Sequence, residues 1–239
     1  MTWLANAFPK AAKKIDHVWR RFFGRYELDD PRPYAKEAPY TFYLPSERLL
    51  AAIQPGDLVK LIFRSIPPAR EWDAERMWVD VTRVTPGGLE GKLDNFPSYM
   101  PQLKPGDIVR FQPFHVIDTS RTLDDEPERR EYWKRCLVDK CVTDDGLPVH
   151  FLYREEPDPG KSDDKFPDSG WRIRGDYRGL SDAEIDAREL EYVAIARVLN
   201  RDDSWLHLVD APIGSAFIKD FETGEFRAEK KMESDGGNG

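Results

Sequence analysis

Met77-Trp78-Val79-Asp80-Val81-Thr82-Arg83-Val84, then Pro86-Gly87-Gly88, then Leu89-Glu90-Gly91-Lys92-Leu93, has the pattern of two strands joined by a turn. Apolar and polar residues alternate at period two in the first run, the pattern of a strand with one buried face. Pro-Gly-Gly turns the chain, and the second run returns as the partner strand. Working outward, Pro55-Gly56-Asp57 feeds Leu58-Val59-Lys60-Leu61-Ile62-Phe63, and Pro105-Gly106-Asp107 feeds Ile108-Val109-Arg110-Phe111. Two Pro-Gly-Asp turns, each leading into an aliphatic strand, point to a curved, mostly antiparallel sheet. We read them as one common turn device used twice rather than as a repeat. Tyr40-Thr41-Phe42-Tyr43-Leu44 is an aromatic strand candidate, and Pro45 to Ile53 a short helix.

The chain of 239 residues suits one large domain or two small ones. With 40% hydrophobic residues, 7 Trp, 9 Tyr and 13 Phe it has the composition of a globular protein, and 19 Pro with 16 Gly imply many turns. No run approaches the roughly 20 apolar residues of a membrane-spanning helix. The opening Met1-Thr2-Trp3-Leu4-Ala5-Asn6-Ala7-Phe8 lacks the basic start and apolar length of a signal peptide. Two cysteines, Cys136 and Cys141, cannot staple a fold of this size, so a reduced, cytoplasmic protein is expected. These features exclude a membrane-spanning protein, a disulfide scaffold and a disordered chain.

From Ala7 to Tyr26, Phe8, Ala11, Ile15, Val18, Trp19, Phe22 and Phe23 recur near helical spacing. Lys10, Lys13, Lys14, Arg20, Arg21 and Arg25 fill much of the rest, and Gly24 marks a stop. This basic amphipathic helix either docks its apolar stripe on its own domain or lies on an anionic membrane. The Pro-rich stretch 27–38 reads as an extended linker. Residues 119–135, dense in both charges, read as a connector.

The second unit opens with Cys136-Leu137-Val138, turns at Thr143-Asp144-Asp145-Gly146 and returns through Val149 to Arg154. Asp-Gly between two apolar runs is a strong hairpin signal. Ser181-Asp182-Ala183-Glu184 has the form of a capping box, opening a helix that continues through Ile185 and breaks before Asn200. Trp205–Val209 and Ala216–Phe221 are the last strand candidates, and a mobile tail is expected after Phe226. The fold class is therefore α+β. It comprises two small domains, each a curved, mostly antiparallel sheet with short helices, plus the N-terminal amphipathic helix. The expected boundaries are 1–38 for helix and linker, 39–118 for the first domain, 119–135 for the connector, 136–226 for the second domain and 227–239 for the tail.

Charge is segregated along the chain, which carries a net −8. Residues 1–37 hold eight Lys/Arg against five Asp/Glu, whereas residues 136–226 hold eleven against twenty-one. An acidic half repels nucleic-acid phosphates and favours basic partners. The 155–169 loop is dense in it, with Glu155, Glu156, Asp158, Asp163, Asp164 and Asp168 against Lys161 and Lys165. Its spacing does not fit a calcium loop. A protein-binding loop and a plain solvated loop are both consistent with this composition.

Little else points to chemistry. His17, His115, His150 and His207 are scattered, and Cys136 and Cys141 have four residues between them, unlike a CxxC pair, so no metal or cofactor is expected. There is no Gly-rich phosphate loop and no Gly-x-Ser-x-Gly elbow, and Ser215 reads as a turn residue because nothing nominates a base for it.

Five blocks in the second half follow one another in a familiar order. They are Cys136-Leu137-Val138-Asp139-Lys140, Tyr153-Arg154-Glu155-Glu156-Pro157, Asp168-Ser169-Gly170-Trp171-Arg172, Gly175-Asp176 and Leu208-Val209-Asp210-Ala211-Pro212-Ile213-Gly214-Ser215-Ala216-Phe217. Over about residues 136–221 the chain resembles the immunity-protein-33 family, domains found beside bacterial polymorphic toxins. The first unit is similar to the YegJ-like family of unknown function, through Glu75-Arg76-Met77-Trp78-Val79-Asp80-Val81, Gly91-Lys92-Leu93-Asp94-Asn95 and Leu103-Lys104-Pro105-Gly106-Asp107-Ile108-Val109.

The first resemblance implies a non-enzymatic cytoplasmic protein that binds and occludes a cognate toxin. Its contact residues are expected among Glu155, Glu156, Asp158, Asp163, Asp164, Asp168, Arg172 and Trp205, with Trp171 and Phe217 read as core. The alternative is a peripheral membrane-associated scaffold using residues 7–26. A small hydrolase is a third reading.

Overall fold

Alternation in the 77–93 stretch is realised as strand pairing. The computed structural model describes residues 16–69, 72–159 and 165–229, and the fold is α+β as expected. The described residues form two units. One takes the chain up to Lys36 with Phe42–Glu128, and the other takes Glu37–Thr41 with the chain from Arg129.

In the first unit, helix α1 (16–23) and strand β1 (Arg25–Leu28) precede two short helices, α2 (Arg32–Glu37) and α3 (Glu47–Ala51). Strands β2 (Leu58–Ile66), β3 (Ala74–Thr85), β4 (Gly88–Leu93), β5 (Ile108–Phe111) and β6 (Asp118–Thr119) follow. They form a curled sheet in the order β1-β2-β3-β4-β5, with β6 pairing the opposite end of β2 from β1. Alternate residues build the core: Val59, Leu61 and Phe63 of β2 lie over Met77, Val79 and Val81 of β3, then Leu89, Leu93, Val109 and Phe111.

Both Pro-Gly-Asp turns make the same bonds. In one, the Gly56 N–H donates to Val81 O, the Val81 N–H to Asp57 O, and the Gln54 N–H to the Asp57 carboxylate. In the other, Gly106 donates to Leu93 O, Leu93 to Asp107 O, and Lys104 to the Asp107 carboxylate. Gly56 and Gly106 have φ of 93° and 88°, the left-handed region that glycine enters without strain. The shared device prolongs each ladder by one rung beyond the strand.

Helix α1 does dock on its own unit, but by a polar residue. Arg20 is 4% exposed. Its guanidinium donates to Ser65 Oγ, Pro67 O and Pro68 O, and pairs with Asp16. The apolar residues Val18, Trp19, Phe22 and Phe23 face outward. Gly24 ends the helix as expected, with its N–H on Arg20 O, so Arg25 and Tyr26 belong to β1 rather than to the helix. The expected linker 27–38 contains the end of β1 and all of α2.

The second unit holds β7 (Arg135–Asp139), α4 (Lys140–Thr143), β8 (Val149–Arg154), β9 (Asp168–Gly175), α5 (Asp182–Asp186), β10 (Leu190–Ala194), α6 (Ile195–Leu199), β11 (Ala216–Lys219) and β12 (Phe226–Ala228). Its sheet order is β10-β7-β9-β8-β11-β12, antiparallel except for β7 beside β9. The core joins Cys136, Val138, Leu152, Trp171 and Ile173 of the sheet to Ile195, Val198 and Leu199 of α6 and to Trp205.

Four expected elements differ. Tyr40–Leu44 forms no strand; Tyr40 instead hydrogen-bonds Asn200 and Asp203 and packs against the second core. Trp205–Val209 is a 3-10 turn over Leu206–Leu208, because it caps the core instead of extending the sheet. The capping box at Ser181 is present, but its helix ends at Asp186 and a strand separates it from α6. Residues 227 and 228, expected in the tail, continue the strand from Phe226 and pair with β11. The remainder of the tail from residue 230 lies outside the described residues.

The largest difference is the Asp-Gly hairpin. Runs β7 and β8 do not pair, because β9 lies between them. Asp139, at the end of β7, has no exposed surface, and its carboxylate accepts the Gly175 N–H of β9 at 3.0 Å. It also pairs with Arg188 at 3.1 Å and with Arg174 of β9 at 3.3 Å. A buried carboxylate must be paired, and β9 supplies partners that β8 lacks. Asp139→Ala should therefore cost about 3–5 kcal/mol, read as a lower urea midpoint, because it strands two guanidinium groups against β9.

Candidate functional site

Strand directions gather three loops at one end of the second sheet. Strands β7, β9 and β11 begin there and β8 ends there, since Arg135 lies opposite Asp168, Arg154 opposite Trp171, and Ala216 opposite Tyr153. The segments that meet are 130–135, the acidic loop after Arg154, and 209–215.

The acidic loop is tied at its base. Arg172 donates two bonds to Asp168, at 3.1 and 2.8 Å, and a third to Glu155. Asp168 also accepts the N–H groups of Asp158 at 2.9 Å and Gly170 at 3.2 Å. Gly170 has φ of 81°, and a Cβ there would fall 2.1 Å from Glu155 O, so only glycine lets the two loop arms close on each other. The Ser169 hydroxyl donates to Arg135 O at 2.6 Å, which ties the loop to β7.

The 209–215 segment is joined to the same base by Arg154. Its Nε donates to Ser169 O at 3.0 Å and its Nη1 to Ala211 O at 2.7 Å. Gly214 N–H reaches Arg154 O, and the indole of Trp171 donates to Val209 O at 3.1 Å. Arg130 pairs with Asp210 on the surface.

Electrostatics follow from this bonding. Burial by itself would push the Asp168 carboxyl up, but Arg172 and the N–H groups of Asp158 and Gly170 outweigh it and hold it below the usual carboxylate range. Hydrogen bonding to Asp168, against the cost of burial, then to Glu155, pushes the Arg172 guanidinium further up and keeps it charged. Burial pushes the thiols of Cys136 and Cys141 up, so both stay protonated, and both are free.

The expected contact residues divide by depth. Glu155, Glu156 and Asp158 are exposed on the loop. Asp168 is buried and Arg172 nearly so, and together they form the tie beneath the loop. Trp205 corrects the sequence expectation: with no exposed surface it stacks edge-on against Trp171, 5.7 Å away, and cannot touch a partner. Trp171 is fully buried, and Phe217 packs partly buried against the same core. Asp163 and Asp164 lie outside the described residues.

Sequence reasoning missed the apolar rim. Ile213 is 47% exposed beside the exposed Pro212, at the tip of the third segment. Phe166, on the far arm of the acidic loop, lies 5.9 Å from Trp133. Pro212-Ile213-Gly214, an isolated aliphatic residue in a turn, carried the available signal; the Trp133–Phe166 pairing had none in the sequence.

This end of the sheet is built from blocks that a family comparison also joins. Residues 136–230 match the Immunity protein Imm33 domain. The match covers β7 through β12 and leaves the first unit, with its YegJ-like resemblance, outside it. No curated protein and no solved structure matches the chain. A match to an immunity domain suggests an immunity role. Its sequence blocks carry Arg154, Asp168, Gly170, Trp171, Arg172 and Ala211, the residues that build the base of the loops.

A pH dependence follows for the tie in the second unit. A carboxyl held low in the folded state stabilises fully above its unfolded value of about 4 and loses that contribution as pH falls through the folded value. Asp168→Ala should therefore lower stability by about 3 kcal/mol at pH 7. The gap from wild type should narrow toward pH 2–3 in urea titrations.

Proposed function

We propose that the protein is an immunity protein that binds its cognate bacterial toxin through the three-loop end of the second unit and blocks it by occlusion. The observation that carries this reading is the Imm33 match at residues 136–230, over the very strands that assemble those loops. Binding without chemical transformation of a substrate suits the site as built: Arg154, Asp168 and Arg172 are spent on holding its loops together.

Glu156 and Asp158 stand exposed over this base, and the domain carries almost twice as many acidic as basic residues. Such a field speeds association with a basic partner by roughly 10–10³ at low salt, within a screening length of about 8 Å at physiological ionic strength. Charge alone therefore guides encounter, and lifetime needs desolvated anchors. Ile213 and Pro212 are the exposed apolar groups placed to supply them. We place the complex in the cytoplasm, the reducing compartment that suits the free thiols of Cys136 and Cys141.

Co-expression with the neighbouring toxic reading frame tests the proposal through growth rescue and co-purification. Glu156→Lys with Asp158→Lys should slow association about tenfold at low salt and much less at high salt. Ile213→Asp should mainly speed dissociation, by tenfold or more on the order of a lost anchor. Absence of both rescue and co-purification for the wild type overturns the reading.

A further inference from the structure

Helix α1 of the first unit is mounted with its polar side inward. Arg20 is its buried residue, and three hydrogen bonds, to Ser65 Oγ, Pro67 O and Pro68 O, fix how the helix is rotated about its axis. The rotation leaves Val18, Trp19, Phe22 and Phe23 exposed by 50, 43, 73 and 67%. These positions share one face, and Trp19 packs on Phe23 with ring centroids 5.8 Å apart. Contiguous exposed aromatic surface of this kind marks an interaction site.

We infer that this face seats the protein on an anionic lipid bilayer, with Trp19, Phe22 and Phe23 entering the interface and Arg21 and Arg25 meeting lipid headgroups. Charge complementarity selects this occupant. Arg21 is exposed on the helix and Arg25 just after it at the start of β1, and the sequence before residue 16 adds Lys10, Lys13 and Lys14. Large aromatic rings flanked by Lys and Arg are the composition of segments that lie in the headgroup region.

The chain's net charge of −8 opposes an anionic surface only at long range. With a screening length of about 8 Å, charges elsewhere in the chain act weakly on Arg21, and Asp16 of the same helix is paired with Arg20. Arg20 contributes nothing to lipid contact, because its charge is already spent inside the unit. This contact is separate from toxin binding and stands or falls without it.

Co-sedimentation of the full chain with phosphatidylglycerol-containing vesicles, against pure phosphatidylcholine vesicles, tests the inference. Wild type should pellet with the anionic vesicles at low salt and be released by high salt. Arg21→Gln with Arg25→Gln should weaken that binding by about 25-fold, roughly fivefold per charge, and leave phosphatidylcholine binding unchanged. Phe22→Ser with Phe23→Ser should weaken it by about tenfold or more, with an unchanged circular dichroism spectrum because both rings are solvent-exposed. Wild type that stays in the supernatant, or that pellets equally with both vesicles, overturns the inference. So does a concentration-dependent dimer that the Phe22→Ser, Phe23→Ser variant abolishes without any vesicle binding, which would assign the face to a second copy.

Discussion

The carboxylate of Asp139 is withdrawn completely from water, and the arrangement of the second unit depends on how it is compensated. It sits at the last position of β7, where it meets the Gly175 N–H and two guanidinium groups, those of Arg174 and Arg188. Two of these partners belong to β9, so β9 must lie beside β7. Strand β8 is thereby displaced by one place, and the sheet acquires its single parallel pair. Arg188 extends the same constraint to the chain after α5, since it also donates to the carbonyls of Gly175 and Asp176.

The strand order has a consequence at the far end of the sheet. With β9 between β7 and β8, the loop joining β8 to β9 closes between neighbours, and the chain entering β7 arrives on its other side. Arg154, Asp168 and Arg172 then serve as ties between loops. The acidic loop therefore combines two kinds of carboxylate with different work. Asp168 is consumed in holding the base, whereas Glu156 and Asp158 remain at the surface. A tied base keeps the exposed groups in place before any partner arrives, which lowers the ordering cost of binding.

The first unit shows the same use of an arginine as a fastener. Arg20 reaches into the end of β2 and decides which side of α1 meets solvent. An amphipathic pattern predicts that one stripe of a helix will be buried, but it does not say against what. Here the polar anchor is buried and the aromatic stripe is left available.

Much of the fold is legible locally. Period-two alternation marks β3, the aliphatic runs after the two Pro-Gly-Asp turns mark β2 and β5, both turns fold as one device, and the Ser181 capping box opens α5 where its spacing says. Those features depend on residues a few positions apart, within reach of backbone sterics and short hydrogen bonds. The blocks of the second half likewise point to the Imm33 domain without coordinates.

Tertiary structure alone decided the neighbour of β7, the burial of Trp205 and Asp168, the tie of the 209–215 segment to Arg154, and the rotation of α1. Each turns on a charge or ring finding its partner tens of residues away, as Arg20 finds Ser65 and Asp139 finds Arg188. An Asp-Gly turn signal is worth less than the several kcal/mol at stake in pairing a buried carboxylate. Where the two disagreed, the long-range electrostatic requirement set the topology.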